Sequence, residues 1–135
     1  MPLIQWNSSL SVNIEEVDAQ HQVLVQLLNN LFDSLQLGKG KEVIEVIIKE
    51  LVKYTEVHFK FEENYFDNYH YPDTDNHKVE HVAFVKQIKD FQNEYDSGKV
   101  TLTVDVLKFL RNWLQNHIQI SDKKYSPFLN QKGVY

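Results

Sequence analysis

Six histidines and nineteen acidic residues stand in a chain with no cysteine. Without thiols there can be no disulfide, thiolate zinc site, iron–sulfur cluster or cysteine nucleophile, so any metal must be held by imidazole and carboxylate. His58 and Glu62 are four residues apart, and so are His77 and His81. On a helix that spacing projects each pair from one side, one turn apart. His21 and His117 fall on apolar stripes of two other segments, and Asp122 follows His117 by five residues. One histidine on an apolar face is usually a hydrogen-bonded core residue. One H-x-x-x-E or H-x-x-x-H pair also means little. Seven such groups on inward faces are a different matter, because a buried Glu62 is costly unless paired or metal-bound.

The elements that must position these groups read as helices. Residues 1–17 carry no helical stripe, and Trp6, Leu10, Val12, Ile14 and Val17 suggest an extended arm laid over apolar surface. Helical periodicity then predicts segments at about 18–37, 41–69, 74–96 and 103–120. Gly38-Lys39-Gly40, Pro72 and Ser97-Gly98 interrupt them, and Asp73 or Thr74 is placed to cap the third. A short tail with Asp122, Tyr125, Pro127 and Phe128 follows the fourth helix, which is expected to end before Asp122 so that the chain can turn back. Four amphipathic helices with short connections give an all-α, antiparallel up-down bundle in a single domain spanning 1–135. In that topology His21 opens helix one, His58 and Glu62 return to the same end, His77 and His81 begin there, and His117 comes back to it. All seven groups converge at one end of the bundle.

Five imidazoles and two carboxylates exceed what one tetrahedral zinc uses, and oxygen-seeking calcium or magnesium has no need of imidazole. The set suits two first-row ions, iron being the biologically common choice. On two six-coordinate ions, five histidines and two bridging carboxylates leave three positions. A single-atom bridge takes two of these, and one stays open for a diatomic ligand. Two other motifs compete. His77-x-x-Glu80-His81 matches the inverted zinc-protease pattern, but it leaves His21, His58, Glu62 and His117 unexplained, and Glu80 can simply face solvent. The Glu-x-x-His motif of ferritin-like di-iron bundles is absent, since Asp18, Thr55, Asp67, Thr74, Lys78 and Leu114 precede the histidines by three.

The set His21, His58-x-x-x-Glu62, His77-x-x-x-His81 and His117-x-x-x-x-Asp122 resembles that of the hemerythrins, more closely their bacterial single-domain members. The likeness covers nearly the whole chain. It includes Trp6, Asp18-Ala19-Gln20-His21, His58-Phe59-x-Phe61-Glu62-Glu63, Tyr71-Pro72 and Trp113-Leu114-x-x-His117-Ile118. The resemblance implies two iron ions (Fe2+/Fe3+) with an oxo or hydroxo bridge and no haem. It assigns His77, His81 and His117 to one iron, His21 and His58 to the other, and makes Glu62 and Asp122 bridges. It implies reversible dioxygen binding at the second iron, for storage, transport or delivery, with Trp113 and Leu114 lining the oxygen pocket. In the family, oxygenation leaves the cluster's net charge unchanged, so a low-dielectric interior adds no large solvation penalty. No acid or base is expected beside the open position, which favours a carrier over an enzyme. The alternatives are an oxygen or redox sensor acting through a partner, and a di-iron oxidase or peroxidase. Two departures stand out: Asn13 where a glycine is usual, and Phe66 where a methionine is usual, the ring being able to narrow access to the metals. His70 is expected to face solvent and to bind nothing.

Composition narrows the partners. A net charge of −5 with a single arginine disfavours nucleic acid and anionic lipid. No apolar run reaches the roughly 20 residues of a membrane span. The N-terminus MPLIQWNSS has neither the basic start nor the apolar stretch of a signal peptide, so a cytoplasmic protein is expected. Dioxygen is the expected partner, and a protein partner is left open.

Overall fold

The computed structural model describes residues 4–135. Residues 1–3 of the expected arm lie outside them. Among the described residues every regular element is helical, and the elements make an antiparallel four-helix bundle with an N-terminal extended arm and a short C-terminal extension. We number the bundle helices α1 (Glu15–Gln36), α2 (40–69), α3 (Thr74–Asp96) and α4 (102–131).

The core follows the apolar stripes. Leu24, Leu28 and Leu31 of α1 pack with Ile44, Ile47 and Leu51 of α2, Phe84, Ile88 and Phe91 of α3, and Val106, Leu110 and Leu114 of α4, all buried. Tyr95, which continues the α3 stripe in sequence, lies at the surface with its hydroxyl on Glu45. Gly40 starts α2 where a Cβ would come within 2.7 Å of Thr103, so the N-terminal ends of α2 and α4 approach more closely than any side chain allows.

The arm gives way to α1 at Glu15 rather than near Asp18. Asp18 explains the junction: its carboxylate accepts from the Val12 amide at 2.8 Å and the Ser11 hydroxyl at 2.5 Å, tying the arm to the first turn. Asn13 between them is left-handed, with φ 56°. The amide side chain tolerates that conformation, so the turn survives without the glycine. α2 ends at exposed His70, also left-handed with φ 57°, and Tyr71 N–H reaches back to the Phe66 carbonyl at 3.0 Å. Asp73 occupies the N-cap position of α3 without a side-chain cap bond; its carboxylate accepts from Asn76 instead.

The expected end of the fourth helix before Asp122 is corrected by the structure. α4 continues to Gln131, with Pro127 inside it. Two observations account for this. Residues Leu114–Asp122 are wound as π-helix, with i→i+5 hydrogen bonds, so the chain needs no turn to bring Asp122 inward. Beyond it, Tyr125 and Leu129 are fully buried, four apart on one face, and pack with Val12, Ile14 and Phe66. That burial outweighs the one hydrogen bond Pro127 removes.

Candidate metal centre

The seven residues singled out by sequence meet at one end of the bundle, each no more than 2% exposed. They sit as a polar layer between two apolar clusters. On one side lies the main core with Leu114 and Trp113, and on the other Phe66, Tyr71, Tyr125 and Leu129.

Helix winding aims them. A five-residue step in a regular α-helix, at about 100° per residue, would turn Asp122 roughly 140° away from His117. The π-wound stretch Leu114–Asp122 restores them to one face, and His117 Nε2 lies 2.9 Å from Asp122 Oδ1. A second π turn, Thr55–Phe59, carries His58. Its Nε2 is 3.0 Å from Glu62 Oε1.

The ligand atoms form two groups. Glu62, His77, His81 and His117 offer atoms within 4.8 Å of one another, and so do His21, His58, Glu62 and Asp122. Asp122 spans them: Oδ1 is 2.9 Å from His77 Nε2, and Oδ2 is 3.0 Å from His21 Nε2. Glu62 presents one oxygen to both sides, Oε1 being 3.0 Å from His58 Nε2 and 3.2 Å from His81 Nε2. Its other oxygen accepts a short hydrogen bond from the Tyr125 hydroxyl. His21 Nε2 and His58 Nε2 face each other at 3.0 Å.

These atoms suit metal ions better than one another. Ligands at right angles, each about 2.1 Å from an ion, are roughly 3.0 Å apart, which is the spacing found here. Yet His77, His81 and His117 Nε2, Glu62 Oε1 and both Asp122 oxygens are buried with no aligned hydrogen-bond partner. Orphaned donors and acceptors aimed at common centres are costly in a folded interior. Two cations would satisfy them together.

Electrostatics inside the layer is strong. Burial opposes charge on His117, but Asp122 and Glu80 outweigh it and carry its pKa up to about 10. Burial likewise opposes charge on His77, and Asp122 and Glu62 raise it to about 9. For His58 burial prevails and the pKa falls below the usual imidazole range. Glu62 and Asp122 resist the upward push of burial because the histidines around them hold both carboxyls well below the ordinary range.

Residues 12–129 match the hemerythrin HHE cation binding domain. The chain belongs to the hemerythrin family. It is 32% identical over 131 residues to a bacteriohemerythrin of Methylococcus capsulatus, covering 96% of this chain and 99% of that protein. It is 34% identical over 126 residues to a bacteriohemerythrin of Pseudomonas aeruginosa, covering 93% and 80%. A solved wild-type hemerythrin superposes with a TM-score of 0.82 at 32% identity, covering 93% of this chain and 96% of that one.

Around this hemerythrin layer stand residues that sequence reasoning had passed over. Gln20 Oε1 accepts from His58 Nδ1 at 2.5 Å, and Glu63 Oε2 from His81 Nδ1 at 3.0 Å. Glu80, expected to face solvent, is 3.3 Å from His117 Nδ1 and accepts from the Ser121 hydroxyl at 2.8 Å. A proton fixed on Nδ1 leaves the Nε2 lone pair for a metal, so these groups set tautomer and ring direction. Glu80 thus sits behind His117, on the side away from the ligand nitrogens, and not between His77 and His81 as a protease base would.

Trp113 stacks on His117 at 3.9 Å, and buried Leu114 is its neighbour. Phe66 lies on the opposite side of the layer, edge-on to His77 at 4.8 Å and to Tyr125 at 5.1 Å, so its ring does not narrow the approach past Leu114. His70 is exposed at the helix end and belongs to neither group. No described helix is long and apolar enough to cross a membrane.

Proposed function

We propose that His21, His58, Glu62, His77, His81, His117 and Asp122 hold two iron ions, and that the protein binds dioxygen reversibly as a store or carrier rather than as an enzyme. The observation that carries this reading is the inequality of two joined ligand groups. Glu62 belongs to both, and Asp122, grouped with His21 and His58, also reaches His77 and His117 at 2.9 Å, but one group has three imidazoles and the other two. An iron pair held by these residues would supply reversible dioxygen binding, and the group with fewer imidazoles is the side that would receive the ligand.

The chain's own residues do the rest. Gln20, Glu63 and Glu80 keep imidazole lone pairs turned inward. Asp122 offers one oxygen to each group, and Tyr125 fixes the carboxylate of Glu62. Leu114 and Trp113, both buried, keep water from the layer on the core side. The likeness to bacteriohemerythrins along almost the whole chain supports the same reading.

The test is repeated oxygenation. Protein reconstituted anaerobically with ferrous iron should contain two irons per chain and absorb little visible light. Dioxygen should raise an intense visible band that disappears when the gas is removed, with no reductant added, over several cycles. Irreversible oxidation on first contact would overturn the carrier. Rapid oxygen consumption with an electron donor would replace it by an oxidase. One tightly bound zinc and no iron would overturn both.

A further inference from the structure

Two buried tyrosine hydroxyls adjoin the ligand layer, and they differ in one respect. Tyr125 donates to Glu62. Tyr54 is 6% exposed, yet its hydroxyl has no hydrogen-bond partner. Buried hydroxyls are nearly always paired, so an unpaired one calls for a reason.

Its position supplies one. Tyr54 precedes His58 by one turn and stacks on it, the ring centroids 4.9 Å apart and the planes inclined at 19°. Its ring also neighbours Phe84, 6.5 Å away, and Phe84 contacts Trp113 at 4.5 Å. Tyr54 therefore stands in the aromatic layer that underlies the ligands on the core side, against the group with only two imidazoles. Trp113 Nε1 is also buried without a partner, but the Trp113 ring stacks on His117 of the fuller group.

We infer that the Tyr54 hydroxyl donates a hydrogen bond to a small ligand bound beside His21 and His58, and so sets how tightly that ligand is held. The inference rests on the dioxygen-binding reading and adds a polar contact to a pocket that sequence alone gives as apolar. It keeps the carrier chemistry intact. Burial, with Glu62 and Asp122 nearby, holds the phenol well above the usual tyrosine range. The group stays an O–H, which donates a hydrogen bond but does not surrender its proton.

Azide is a suitable probe, being a small anion with an infrared stretch that responds to hydrogen bonding. Tyr54→Phe removes one oxygen and leaves the ring that packs on His58. In the ferric, two-iron protein the variant should bind azide about tenfold more weakly. Its azide stretch should shift, and the small change that wild type shows between H2O and D2O should vanish. Iron content and helicity should not change. Equal affinity with an equal isotope response would overturn the assignment. So would a wild-type azide stretch that ignores D2O, a result that needs no variant to fold. Wild-type protein that holds two irons and binds no azide would overturn the open position itself, and the dioxygen reading with it.

Discussion

Behind the imidazoles of His81 and His117 stand the carboxylates of Glu63 and Glu80, whereas behind His58 stands only the amide of Gln20. His21 Nδ1 has no hydrogen-bond partner, while His117 Nδ1 faces the Glu80 carboxylate at 3.3 Å as an ion pair without hydrogen-bond alignment. An anion behind a ligating imidazole strengthens it as a donor, and a neutral amide does so less. The three-imidazole side is thus the firmly held one, closed below by Phe66, Tyr71 and Tyr125. The two-imidazole side has fewer ligands, weaker backing and the unpaired Tyr54 hydroxyl beside it. The asymmetry lies in the outer contacts as much as in the ligand count, and on the proposed function it would make the three-imidazole side the anchor and the two-imidazole side the one that takes a guest.

The largest effect should come from removing what the two sides share. Glu62→Ala deletes the oxygen that both groups use and frees the Tyr125 hydroxyl, so iron content should fall from two per chain to none. His70→Ala, far from both groups, should keep both irons. Elemental analysis decides. A Glu62→Ala protein that still holds two irons would mean the sides are independent sites.

Next come the outer carboxylates. Glu63→Gln and Glu80→Gln keep size but remove charge behind His81 and His117, and each should weaken iron retention by roughly 10–100-fold. Gln20→Leu acts on the other side, removing the acceptor that fixes His58. Competition with a chelator measures all three. If Gln20→Leu alone had any effect, the claim that the three-imidazole side is the better supported one would fail.

Smaller again is the wall of the pocket. Leu114→Ala opens the core side of the layer to water, and the oxygenated form should decay about tenfold faster, as followed by stopped-flow absorbance. An unchanged or slower decay would show that Leu114 does not guard the open position.

Much of this arrangement could be read from residue order. The apolar stripes gave the four helices, and the up-down topology then brought His21, His58, His77 and His117 to one end without any coordinate. What could not be read has a common cause. The π turns at Thr55–Phe59 and Leu114–Asp122 leave no mark in a periodicity of 3.6, so Asp122 looked like a residue beyond a helix end when it is inside one. Gln20 and Glu63 each adjoin a ligand in sequence but serve a histidine of another helix, and Glu80 does the same from a position that reads as solvent-facing. Such partners are fixed by packing across helices, for which one sequence carries no signal. Tyr54 lies one turn before His58 in sequence, which places it on the same helix face. That its hydroxyl lacks a partner is visible only in three dimensions.

The smallest expected effect tests where charge sits when the metals are removed. His77 and His117, with pKa values of about 9 and about 10, are protonated at pH 7, whereas burial keeps His58 neutral. Only a neutral imidazole binds a metal, so ferrous iron taken up at pH 7 should expel the protons that His77 and His117 carry. Stability follows the same groups. Their pKa values are raised above the unfolded value of about 6.5, so their contribution is complete below that pH and is lost as pH climbs through 9 and 10. Glu62 and Asp122 are shifted the other way, and their contribution fades only as pH falls below about 4. Metal-stripped protein should therefore unfold at lower denaturant at pH 10 than at pH 6.5, while the iron-loaded protein, whose imidazoles are already neutral, should not show that loss. Anaerobic calorimetric titration in buffers of different ionisation enthalpy counts the protons, and denaturant curves at the two pH values give the rest. Uptake without proton release, or a stripped protein more stable at pH 10, would mean that the shared carboxylates do not hold His77 and His117 charged.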